Sequence, residues 1–153
     1  MKQKFISFYS DVAQRTAQLS HARRLKVGAV IVKDRRILSY GYNGTPAGED
    51  NNCEDYVFRE EKDIDGNVVT VNTNELVTKP NVIHAEDNAI RKLEDDGVSC
   101  KDAVIFITHA PCKNCAEKIS DSGIIKVYYS QIYRSSAGLE HLKKSGITCE
   151  YLE

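Results

Sequence analysis

Two short segments, His84-Ala85-Glu86 and Pro111-Cys112-Lys113-Asn114-Cys115, constrain this chain more than any other feature in it. Each opens a stretch with helical apolar spacing, Ala85–Leu93 and Lys113–Ser122, and the β-branched run Ala103-Val104-Ile105-Phe106-Ile107 leads into the second as a buried strand. The second helix should close on Gly123 in the left-handed conformation that a helix end favours. Lys126-Val127-Tyr128-Tyr129 reads as the next strand. Ser135 or Ser136 can cap a helix running to Ser145, stopped by Gly146 before a final strand Thr148–Leu152. Upstream, Phe5, Phe8, Tyr9, Val12, Thr16 and Leu19 recur at spacings of three and four, which predicts an amphipathic helix over residues 4–19. Val27–Val32 and Arg36–Tyr42, joined through Lys33-Asp34-Arg35, predict an antiparallel hairpin. Strands alternating with helices of this length imply crossover connections and an α/β architecture: a mixed sheet of about five strands with helices on both faces.

Residues 47–83 break the alternation. They carry nine acidic and three basic side chains with no sustained helical period, and read as a solvated acidic insertion at about 49–83. Asp63-Ile64-Asp65-Gly66-Asn67 opens like a calcium loop, but no downstream Glu completes the ligand set, so a plain Asp-Gly turn before Val68-Val69-Thr70-Val71 is expected.

Composition sets the limits. A chain of 153 residues fits one domain, 1–153, and 21 Lys+Arg against 22 Asp+Glu gives a net charge of −1, without the basic excess of a polynucleotide binder. No apolar run approaches the roughly 18 residues of a bilayer span. The amino terminus has no apolar stretch of secretory length, so a soluble, cytoplasmic protein without membrane partners is expected. Five cysteines in that compartment point away from a disulfide framework.

They point toward metal. Two Cys separated by two residues at a helix start can turn both sulfurs toward one ion, and the helix dipole favours the thiolate that binds it. Pro111 suits that position, because a missing amide hydrogen costs nothing where the helix has not begun. Adding His84 makes three ligands and leaves one tetrahedral position open, the arrangement of catalytic zinc. Half of a structural zinc site and a redox pair are the rival readings. The first needs a fourth ligand, yet Cys53, Cys100 and Cys149 each lack a partner at metal spacing; the second has no use for His84. His-x-Glu followed by Pro-Cys-x-x-Cys is the signature of zinc deaminases. Zinc lowers the pKa of a bound water toward about 7. Glu86, two positions past His84, could take the water's proton, deliver it to a ring nitrogen and later protonate the departing amine. The predicted reaction is hydrolytic deamination of an amino-pyrimidine or amino-purine.

Most of the chain outside about 55–80 resembles the deoxycytidylate (dCMP) deaminases of the cytidine-deaminase-like superfamily. The resemblance is carried by Arg24–Val32, by Gly41-Tyr42-Asn43-Gly44-Thr45-Pro46-Ala47-Gly48, by His84–Ile90 and by the Pro-Cys-x-x-Cys unit. It implies a three-layer α/β/α fold converting dCMP to dUMP and ammonia, thereby feeding thymidylate synthesis, with zinc on His84, Cys112 and Cys115 and with Glu86 shuttling protons. It places Asn43 on the substrate sugar, Ala85 and Thr108 on the base through backbone groups, and Tyr133 on the nucleotide. Arg24 and Lys26, just before the first strand, could pair with the monophosphate. Glycines at 41, 44 and 48 would let backbone approach a ligand closely, while Asn43 offers a donor and an acceptor. The resemblance further implies activation by dCTP with Mg2+, inhibition by dTTP, an effector site including Tyr42 and Gly44, and a homo-oligomer, commonly a hexamer. The chain departs from the pattern at His109, where relatives tend to carry an apolar residue, and in the highly charged run Arg91–Asp96. It also lacks a Cys and His set for a second, structural zinc, Cys53 being the lone candidate. Competing functions are deamination of free cytidine or deoxycytidine, deamination of a base within tRNA or single-stranded DNA, and an inactive zinc or nucleotide-binding module. A free nucleoside would leave Arg24 and Lys26 without a phosphate, and balanced charge without any Trp argues against a nucleic acid.

Overall fold

A computed structural model describes all 153 residues. Its elements follow the order α1 (Gln3–Ala17), β1 (Gly28–Lys33), β2 (Arg36–Tyr42), β3 (Glu54–Lys62), β4 (Val68–Thr78), α2 (Ala85–Asp95), β5 (Val104–Ile107), α3 (Lys113–Ser122), β6 (Lys126–Tyr129), α4 (Ala137–Lys144) and β7 (Thr148–Tyr151). Five strands form one mixed sheet in the order β2-β1-β5-β6-β7. β1 runs antiparallel to both its neighbours, whereas β5, β6 and β7 are mutually parallel because α3 and α4 carry the chain back between them. The β1–β2 hairpin turns through Asp34 and Arg35, both at positive φ, the twist that a two-residue hairpin loop requires.

Strand alternation divides the core into two layers. Ala29, Ile31, Ile105, Ile107 and Val127 face α2, α3 and α4, where Ala89, Ile90, Leu93, Ile119 and Leu142 meet them. Val30, Val32, Phe106 and Tyr128 face α1 on the other side, joined by Ile6, Tyr9 and Ala13. The Phe106 and Tyr128 rings stack with centroids 4.5 Å apart, and the Tyr9 hydroxyl donates to Arg35 O at 2.7 Å, pinning the hairpin turn. The result is the expected three-layer α/β/α arrangement.

The buried face of α1 differs from the predicted one. Tyr9 and Thr16 are buried, but Phe8 and Leu19 are exposed, and Ala13 and Ala17 take the central contacts. Backbone proximity explains this: a Cβ on Gly28 would lie 2.2 Å from Ala13 O, so small side chains must face β1 and the large ones are rotated aside.

Residues 49–83 contain a separate two-stranded sheet, β3 paired with β4. The Asp63–Asn67 turn closes it as expected: the Asp63 carboxylate accepts from the Asp65 and Asn67 amides, both at 2.9 Å, and Gly66 sits at φ 82°. Its charged residues are solvated along most of both strands, with Glu54 at the base as the exception.

Candidate active site

His84 and Cys112 are the N-cap residues of α2 and α3. A polar cap side chain ordinarily turns back onto the free amides of the first helical turn. Neither does so here. Instead His84 Nδ1 lies 3.5 Å from Cys112 Sγ and 3.3 Å from Cys115 Sγ, with all three ligand atoms within 4.8 Å of one another. Zinc bonds of about 2.3 Å to sulfur and about 2.0 Å to nitrogen put tetrahedral N and S ligands about 3.5 Å apart and two sulfurs about 3.8 Å apart. The donor set and its spacing fit the ion. No other His, Cys, Asp or Glu joins the cluster, so the protein supplies three ligands and not four.

The electrostatics favour metal capture. Hydrogen bonds from Cys115 and His84 bring the Cys112 thiol down to about 4, while its bond to Cys112, together with burial, pushes Cys115 up. The two helix N-termini that meet at Cys112 favour its thiolate form in the same direction. His84 is raised by its hydrogen bond to Cys112, aided by the nearby Glu86 charge. Glu86, only 4% exposed, has its carboxyl raised by desolvation, the direction that suits a group required to pick up and release a proton near neutrality. The two ligand helices are also tied together. Against the desolvation that would raise it, Asp87 is held low by hydrogen bonds from Lys118 at 2.5 Å and Arg91 at 2.8 Å. Asp87 follows His84 by three residues on α2, and Lys118 follows Cys115 by three on α3.

A cavity of about 440 Å3 opens beside the cluster, within the size range of small-molecule sites. Among the residues singled out in the sequence, His84, Ala85, Glu86, Cys112, Arg24, Asn43 and Tyr133 all line it. Asn43 is less free than its chemistry suggested, because Oδ1 accepts from Val27 N at 2.8 Å and Nδ2 donates to Leu25 O at 2.8 Å. One hydrogen on Nδ2 remains for a ligand. The same clamp explains why Lys26 stays outside: Leu25 and Val27 are both turned into the cavity, and the exposed Lys26 between them faces away. Thr108 does not line it either. It is sealed at 1% exposure, its N–H donating to Gly28 O at 3.0 Å and its Oγ1 accepting from Gly28 N at 3.1 Å, so it extends the β1–β5 pairing.

The glycine-rich loop divides its labour. A Cβ on Gly41 would fall 2.3 Å from Ala85 O and 2.6 Å from Ala89 N, so this glycine lets α2 lie directly on β2 and has no ligand to admit. Gly44 exchanges both backbone hydrogen bonds with Ile83, holding the segment that leads into His84. Tyr42 and Gly44 line a second, smaller cavity with His21, Asn88 and Lys92.

The family model for the cytidine and deoxycytidylate deaminase zinc-binding region matches residues 3–131. The chain belongs to that deaminase family. It is 35% identical over 146 residues to the deoxycytidylate deaminase of Enterobacteria phage T4, covering 80% of this chain and 76% of that protein. It is 34% identical over 138 residues to ComE operon protein 2 of Bacillus subtilis, covering 85% of this chain but only 61% of that protein's length. A crystal structure of dCMP deaminase from the cyanophage S-TIM5 in complex with dCMP and dUMP superimposes with a TM-score of 0.83 at 35% identity, covering 99% of both chains. The zinc-binding deaminase domain and the His84, Cys112 and Cys115 cluster together support a zinc cofactor.

Several lining residues escaped the sequence reading. Arg134 borders the cavity beside Tyr133, and its adjacency to that tyrosine was the available signal. Gln131 and Thr78 carried none. Glu54 stood as one acid among nine in a stretch that looked uniformly solvated, and only folding buries it. His109 also lines the cavity, where burial lowers its pKa, and its Nδ1 lies 2.9 Å from Thr108 Oγ1.

Proposed function

We propose that the chain catalyses hydrolytic deamination of dCMP to dUMP and ammonia. The observation that carries this reading is the composition of one cavity: His84 and Cys112 of the three-ligand metal cluster and the buried Glu86 carboxylate line it with two arginines, Arg24 and Arg134, and with Tyr133. That combination suits a base to be hydrolysed joined to a phosphate to be paired. The likeness to the S-TIM5 enzyme over the whole length of both chains supports it.

When bound, zinc supplies a Lewis-acidic centre that makes water nucleophilic at neutral pH. His84, Cys112 and Cys115 would hold it. Glu86 Oε would accept a proton from the attacking water and pass it to the pyrimidine N3, then take the second proton from the hydroxyl added at C4 and deliver it to the exocyclic nitrogen as the C4–N bond breaks. The Ala85 backbone, at the first turn of α2, is placed to orient the base, and the remaining Nδ2 hydrogen of Asn43 can meet the sugar. Arg24 is the cation for the monophosphate in place of the outward-facing Lys26. dCTP or dTTP effectors would bind in the second cavity, which Tyr42, Gly44 and Lys92 line. Five unpaired cysteines support a reducing, cytoplasmic setting. No helix is long and apolar enough to cross a membrane.

The test is ammonia release from dCMP, deoxycytidine and a cytosine-containing oligonucleotide. dCMP should be turned over with the highest kcat/KM. Preference for deoxycytidine or the oligonucleotide refutes the substrate assignment, and no release from any of the three makes the protein a binding module.

A further inference from the structure

The β3–β4 arm pairs only with itself along most of its length, yet its base is bound closely to the cavity wall. Glu54, the first residue of β3, is 1% exposed and lines the cavity. Its Oε1 accepts from two consecutive backbone amides, Arg23 N at 2.8 Å and Arg24 N at 3.1 Å. Its Oε2 has no hydrogen-bond partner, the Arg23 Nε lying 3.6 Å away. Directly across the ladder from Glu54 stands Thr78, the last residue of β4, and its Oγ1 accepts from Arg24 Nη1 at 3.0 Å. The two strand ends therefore grip Arg24 at both its backbone and its guanidinium. Lys79 N donating to Cys53 O at 2.8 Å locks the ends together.

Burying a carboxylate with one oxygen unsatisfied costs free energy that an apolar residue of similar size would not. What this carboxylate achieves is specific. Two amides converging on one oxygen set the direction in which residues 23 and 24 leave the chain, and Thr78 sets where the long Arg24 side chain ends. An arginine held at both ends loses less rotamer freedom when it meets an anion than one free in solution.

We propose that the base of the β3–β4 arm is a specificity device, in which Glu54 and Thr78 are positioning residues that hold Arg24 ready for the 5′-monophosphate of the substrate. This rests on the reading of Arg24 as the phosphate cation, and the experiment separates the two. The variants are Glu54→Leu, Thr78→Val and Arg24→Met. The readout is the ratio of kcat/KM for dCMP to that for deoxycytidine, resolved into kcat and KM, with zinc content and thermal unfolding measured alongside. Losing a charge-assisted hydrogen bond corresponds to about a tenfold effect or more. Arg24→Met should lower the ratio by at least about tenfold, Glu54→Leu and Thr78→Val by a comparable or smaller factor, chiefly in the KM for dCMP and with zinc retained. Combined with Arg24→Met, neither should lower it further, because all three act through one group. Should Glu54→Leu fail to fold, Thr78→Val decides. If Arg24→Met lowers the ratio while the folded positioning variants keep it, the device is refuted and the phosphate reading survives. If Arg24→Met leaves the ratio intact, both fall. A Glu54→Leu protein whose preference for dCMP over CMP changes, with the dCMP to deoxycytidine ratio unmoved, shows that Glu54 reads the sugar, and also overturns the proposal.

Discussion

The glycine at position 138 links a remote helix to the metal cluster, and substituting Gly138→Ala tests that link. A Cβ there would lie 2.0 Å from Pro111 O and 2.9 Å from Pro111 C, against the backbone immediately before the ligand Cys112. Two effects of opposite sign compete. Alanine in place of glycine within α4 would by itself stabilise the helix by up to about 1 kcal/mol. Relieving the overlap, however, requires α4 and the Pro111–Cys112 backbone to separate by about 1 Å, and overpacking of this kind costs about 1–3 kcal/mol or more, here near the upper end because backbone meets backbone. The clash wins, and net destabilisation of about 2 kcal/mol should lower Tm by about 4–8 °C in a chain of this size. The displaced Cys112 should also weaken metal binding by about 10–100-fold, the usual effect of disturbing what orients a ligand. Differential scanning fluorimetry with and without zinc, together with competition against a chromophoric chelator, measures both. A Gly138→Ala protein as stable as the parent, or one that keeps full zinc affinity, refutes the packing argument.

Replacing Glu86→Gln should leave zinc content unchanged while cutting kcat on dCMP by at least about a hundredfold, the lower scale for losing a general acid–base group; near-normal turnover would remove Glu86 from the proton path. Stripping the metal with a chelator should abolish deamination and lower Tm, and added zinc should restore both, since an ion bound by the folded state alone stabilises it by mass action. Asp87→Asn should reduce stability in a pH-dependent way. The carboxyl is held below its ordinary 3.8 in the folded chain, so its contribution is full above that value and is lost as the pH falls through the lower, folded one. The gap between parent and variant, followed by urea unfolding, should be constant from pH 7 to about pH 5 and close on acidification. A gap that widens in acid has the wrong sign for this linkage.

What the amino-acid order alone determined was the set of local elements outside the β3–β4 arm and the chemistry of the metal site. Helical spacing marked Lys113–Ser122 to the residue, Gly123 ended it in the left-handed region, and the five sheet strands stood out as short apolar runs between turns and helix stops, because period and capping are properties of neighbouring residues. His84, Cys112 and Cys115 were legible for the same reason: ligand identity and spacing are written along the chain. Tertiary structure decided everything that depends on which backbone lies against which. It chose the small face of α1 over the large one, gave Gly41 to helix packing, turned Lys26 outward while presenting Arg24, and sank Glu54 beneath an arm whose other acids are solvated. Burial and close approach arise only when segments distant in sequence meet, so no local pattern could have distinguished Glu54 from the acids around it.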